Sequence, residues 1–118
     1  MNQLTILSQL MSFVALRINL HNPDTRRQTM QEVDRNCPPP LRPKFKTFEQ
    51  MVTWCDHQIW NRLLLYKAMR GEKNFQYCVA FMRSLDFICE DVGEGKLDLP
   101  GTKEALKRLL ESEDGRIY

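Results

Sequence analysis

The tripeptide Cys55-Asp56-His57 is where this chain most invites chemistry, because a thiol, a carboxylate and an imidazole are the parts of a nucleophilic pair or a metal site. Helical spacing works against both. Residues two apart on a helix point about 200° from each other, so Cys55 and His57 face opposite ways. Cys78 and Cys89 do share a helical face, yet the rise between them is about 16 Å, too far for two thiolates on one zinc. Cys37 and His21 meet only if tertiary folding brings them together. Asp86, Glu90, Asp91 and Glu94 set carboxylates one turn apart, the raw material of general acid–base catalysis. No aromatic pocket shares their face and Arg83 stands close by, so they read as a solvated surface. The sequence holds no Gly-x-Ser-x-Gly elbow, no His-Glu-x-x-His pair and no glycine-rich phosphate loop. The expectation is a chain that is not an enzyme, with no catalytic residues, no metal, no cofactor and no small-molecule substrate.

Binding chemistry has better candidates. Arg26, Arg27, Arg35, Arg42, Lys44 and Lys46 form a basic run that can track a phosphate backbone, with Phe45 available to stack on a base. An acidic partner protein would engage the same groups, and ordinary surface charge explains them equally well. Residues 17–46 carry seven basic side chains against three acidic ones, whereas residues 74–101 carry two against five. The whole chain is only +2, too little to name a nucleic-acid or membrane partner by itself.

The 118 residues, 42% hydrophobic and 27% charged, fit one folded domain. Four cysteines are an even number, but three sit within apolar helical stripes, where a thiol behaves as a small hydrophobe. The apolar stretch from Leu4 to Leu20 lacks a basic leader and is interrupted by Ser8, Gln9, Ser12 and Arg17. It reads as too polar for a signal peptide and too short for a membrane span, so the expected compartment is the cytoplasm, with no membrane contact.

Along the chain, Leu4, Leu7, Met11, Val14 and Ile18 share a helical face, although Val14, Leu16, Ile18 and Leu20 also alternate as a strand would; the longer period favours a helix. Asn22-Pro23-Asp24 has the form of a helix start, predicting a second helix from Pro23 to Asn36. Pro38-Pro39-Pro40-Leu41-Arg42-Pro43 reads as an extended connector, with Pro40 and Pro43 matching a Pro-x-x-Pro ligand. Thr47-Phe48-Glu49-Gln50 fits a capping box opening a helix that runs to Arg70. Gly71 turns the chain, a further helix runs from about Lys73 to Val92, Gly93 and Gly95 end it, and Thr102 is expected to cap a final helix over 102–113.

The expected architecture is all-α: a single domain of four to five helices in a small antiparallel bundle, built around a long helical hairpin from about 47 to 93. In the first arm of that hairpin Phe48, Val52, Cys55, Ile59, Leu63 and Tyr66 form the main stripe. Trp54, Leu64, Leu65 and Ala68 fall outside it. Large apolar side chains that the main stripe does not absorb point to a partner, and Trp54, Leu64 and Leu65 are the expected contact residues, against another protein or a second copy of this chain. The short, motif-free helical format resembles accessory proteins of phages and plasmids, many of which bind a host protein; that is a likeness of type. The reading is a small binding protein acting as adaptor, regulator or inhibitor, and the alternative is a nucleic-acid-binding module using the basic 26–46 segment.

Overall fold

Five helices appear in chain order: α1 Gln3–His21, α2 Arg26–Asn36, α3 Phe48–Met69, α4 Phe75–Gly93 and α5 Leu99–Glu111. The computed structural model describes residues 2–37, 45, 47–72 and 75–117, so the proline-rich connector lies outside the described residues apart from Phe45 and Thr47 at its end. Among the described residues there is no strand, and the fold is an all-α bundle. The expected hairpin is formed by α3 and α4. The most extensively packed element is α1, which meets α3 above all and also α2 and α4.

The central place of α1 explains its ambiguous pattern. Val14 and Ile18, one turn apart, enter a large core with Ile59 and Leu63 of α3 and Phe81, Leu85 and Ile88 of α4. Leu16 and Leu20, again one turn apart, enter a smaller core with Val33 of α2 and Met51 and Cys55 of α3. A helix sandwiched between two cores buries residues about 200° apart, and in sequence this imitates a strand's alternation.

Most chain reversals follow local chemistry. At the start of α3 both capping-box bonds are made: the Gln50 amide donates to Thr47 Oγ1 at 3.2 Å and the Thr47 amide donates to Gln50 Oε1 at 3.3 Å. Gly71 takes φ 74° and lets the Glu72 amide reach back to the Lys67 carbonyl at 2.9 Å, closing α3. Two helix starts differ from expectation. Pro23 does not open α2; it forces Asn22 into an extended conformation (φ −80°, ψ 117°) and so ends α1, and α2 begins at Arg26. Asp98, not Thr102, caps α5, its side chain accepting from the Gly101 amide at 2.7 Å with Pro100 in the first turn, and that helix ends at Glu111.

The segment after α5 folds back on α4, which the sequence did not announce. Gly115 is buried with φ 78°, and Ser84 Oγ donates to its carbonyl at 3.2 Å. A Cβ at Gly115 would collide with the Tyr77 carbonyl oxygen, whereas one at Gly71 meets open space. Gly71→Ala is therefore expected to cost about 1 kcal/mol for its left-handed backbone alone, and Gly115→Ala roughly 3 kcal/mol, because strain and a backbone clash add. Urea unfolding of the two variants checks this; equal midpoints would contradict the docking of the tail.

Candidate functional site

Polar residues converge most densely where α1, α3 and α4 meet. Arg17, only 5% exposed, extends from α1 between the two other helices. Its Nε donates to Asp56 Oδ1 of α3 at 2.8 Å, and its Nη2 donates to Asp86 Oδ1 of α4 at 2.7 Å. The third nitrogen, Nη1, lies 3.1 Å from His21 Nε2, while His21 Nδ1 lies 3.1 Å from the Arg17 carbonyl oxygen. A neutral His21 with its proton on Nδ1 satisfies both contacts. One guanidinium thus spends its donors on three side chains from three helices.

The charges follow from that geometry. Burial opposes the Arg17 charge, but Cys89, the hydrogen bond it donates to Asp56 and the two carboxylates more than offset it, and its pKa is raised. Burial lowers the His21 pKa, and the neighbouring charges of Arg17 and Arg26 lower it further. Asp86 is pushed up by partial burial, with Arg17 pulling the other way. Burial drives the Cys55 and Cys89 thiols up to about 12, so neither is a thiolate nucleophile at neutral pH. All four cysteines are buried and none forms a disulfide. Cys55 points into the small core and His57 is exposed, as their spacing requires. Both carboxylates are engaged by the one guanidinium of Arg17, as ion-pair partners of a buried charge. Among the described residues no group of three or more His, Cys, Asp or Glu is placed to hold a metal ion.

The expected contact residues are dispersed. Trp54 is half-buried, its ring edge-on to Phe13 at 5.5 Å and to Phe45 at 5.7 Å, so much of its face serves the small core. Leu64 packs at the margin of the large core. Leu65 is 46% exposed, with exposed Met69 one turn further on. Of the basic residues, Arg26 donates from Nε to the Leu20 carbonyl at 2.9 Å and lies over the Phe48 ring, tying α2 to its neighbours. Arg27 and Arg35 are exposed on α2, and Arg42, Lys44 and Lys46 lie outside the described residues. Asp86 lies on an exposed face, as expected, and is in addition an ion-pair partner of Arg17. By length and composition α1 is apolar enough to cross a membrane, longer than its sequence pattern suggested; in this fold it packs on three helices and carries the Arg17 junction.

A better surface lies between α1 and α5. Among the other helices α5 approaches only α4 closely, which leaves an open cleft beside α1. Two adjoining hollows of 310 and 240 Å³ run along it. The first is lined by Met11 of α1 and Lys103, Leu106, Lys107, Leu110 and Glu111 of α5. The second, sharing Met11 and Leu110, continues over Leu7, Leu10, Leu63, Tyr66 and Tyr77. Leu4, 77% exposed, stands on the same α1 face as Leu7 and Met11. The i, i+3, i+7 spacing on α1 was visible in the sequence; which helix would fail to cover it was not. Another hollow, of 340 Å³, lies between α4 and the folded-back tail, where Val79, Ala80 and exposed Phe87 are rimmed by Arg83, Arg116, Glu113 and Asp114.

No protein-family model, curated protein or solved structure matches the chain.

Two outcomes test the polar junction. Asp56→Ala leaves a buried guanidinium with one half-exposed partner and is expected to cost about 3 kcal/mol; Arg17→Met leaves carboxylates that water can reach and is expected to cost about 1 kcal/mol. The reverse ranking in denaturant unfolding would contradict the assignment of Arg17 as the dependent charge. The lowered His21 pKa means that the unfolded chain takes up a proton first as pH falls. Its stabilising contribution is complete well above the unfolded value of about 6.5 and is lost progressively as pH falls through that value toward the lower folded one, so unfolding free energy falls over that range. His21→Gln should flatten that slope.

Proposed function

We propose that the protein is a non-enzymatic binding module, an adaptor, regulator or inhibitor that engages another protein through an exposed helical surface, of the kind that phages and plasmids carry as accessory proteins. The observation that carries this reading is the α1–α5 cleft, an apolar floor of Leu7, Met11, Leu106 and Leu110 between two helices. A helix that lays its apolar face into such a groove is a common mode of peptide recognition. Large apolar side chains at the rim, Leu4 above all, extend the surface beyond what the fold itself needs. Four buried cysteines, none in a disulfide, fit residence in the reducing cytoplasm. Leu65 and Met69 on α3 supply a smaller exposed pair and rank second as a contact surface.

The test is affinity capture from the source cell, or its host, with the whole chain and two variants compared by quantitative mass spectrometry. Met11→Lys puts a charge on the cleft floor and is expected to reduce recovery of the specific partner roughly tenfold or more, whereas Leu65→Lys is expected to leave it within about twofold. Recovery indifferent to Met11→Lys would move the contact surface elsewhere. Loss with Leu65→Lys alone would assign it to α3.

A further inference from the structure

We infer that the α1–α5 cleft takes about two turns of an amphipathic helix from a partner protein, oriented so that its acidic end lies against Lys103 and Lys107. This rests on the reading of the cleft as a binding surface, and it adds the partner's chemistry and direction.

Length comes first. From Lys103 to Glu111 the α5 wall rises about 12 Å, and from Leu4 to Met11 the α1 wall rises about 10 Å. That matches apolar anchors at i, i+3 or i+4, and i+7 of a third helix laid between them. The charges around the cleft are unevenly placed. Residues 2–16 include no charged side chain, so the α1 wall is neutral. The α5 wall carries Lys103, Lys107 and Glu111 at successive four-residue steps, which puts a cation at one end of the groove, a second midway along it and an anion at the other end. Neither lysine makes an ion pair among the described residues, whereas Glu104 and Arg108, also on α5, pair with each other. An occupant with acids beside the two lysines, and none beside Glu111, complements this order. One inserted the other way sets its acids against Glu111 and leaves the lysines unmatched. That difference sets direction and partner choice more than raw affinity.

An anionic lipid surface also offers negative charge over an apolar layer. The floor here is recessed between two helices and the rim includes Glu111, which a flat anionic surface would repel, so the helical occupant is the better match.

The experiment uses the full chain and two dye-labelled synthetic peptides of about 16 residues, long enough to form a helix. Both carry Leu along one face; at one end the first has Glu where its twin has Lys. Fluorescence anisotropy is expected to show the acidic-end peptide binding about tenfold more tightly at low salt, the gap closing as salt rises. Lys103 and Lys107 are exposed, so Lys103→Glu/Lys107→Glu is expected to keep the fold, with circular dichroism as the check, and to reverse the preference. Equal affinity for the two peptides would overturn the charge assignment while leaving the cleft a binding surface. Binding of neither peptide would overturn the helical occupant, and the Met11→Lys capture experiment then judges the cleft separately. Co-sedimentation with phosphatidylserine vesicles, in the absence of peptide binding, would overturn the proposal in favour of a lipid.

Discussion

A single buried cation constrains the whole arrangement. Arg17 lies at the centre of three helices with its charge almost wholly out of water, and such a charge is tolerable only when its donors are matched. The matching groups are far apart in the chain: Asp56 on α3, Asp86 on α4 and His21 one turn along α1. Sliding α1 by a turn, or rotating it by one residue, would bury the guanidinium without partners. Apolar packing of Val14, Ile18, Leu16 and Leu20 supplies most of the attraction between these helices but tolerates more than one fit. The arginine selects among them.

That choice of register decides what remains outside. The C-terminal half of α1 is wrapped by both cores, because α2 folds back to bring Val33 and Met30 against Leu16 and Leu20. Its N-terminal half has no such cover on the α5 side. Ile6 and Leu10 are buried, while Leu7 and Met11 are half-covered and Leu4 stands in water. The tail after α5 is pinned to α4 by Gly115 and Ser84. The open α1–α5 cleft is thus a consequence of how the fold closes elsewhere.

Much of the fold was legible because it follows from local rules. The capping box at Thr47, the left-handed Gly71 and the helical stripes of α3 and α4 each depend on residues within a turn of one another, and all appear as expected. The two misplaced starts, at Asn22 and Asp98, have local causes as well; Pro23 was read as opening a helix when its stronger effect is on the residue before it. The binding surface was harder to read. Trp54 stood out as unabsorbed by its own helix, but Phe13 and Phe45, distant in sequence, cover part of it. Asp86 is solvated as its face suggests, but its pairing with Arg17, 69 residues away, could not be read from its own helix. Leu7, Met11, Leu106 and Leu110 each belong to an ordinary stripe, and nothing in either stripe says that α5 turns to α4 and leaves the cleft unfilled. Periodicity identifies apolar faces; only tertiary packing says which are left over.

The most direct measurement is site-specific photo-crosslinking in the source cell or its host, with a photoreactive residue placed singly at Met11, Leu106, Leu65 or Arg27 and the products separated and identified. The account predicts that Met11 and Leu106 crosslink to one and the same protein, through a segment of it that is helical and acidic at one end, while Leu65 and Arg27 do not reach it. A common adduct at Leu65 or Arg27 with none at Met11 and Leu106 would contradict it.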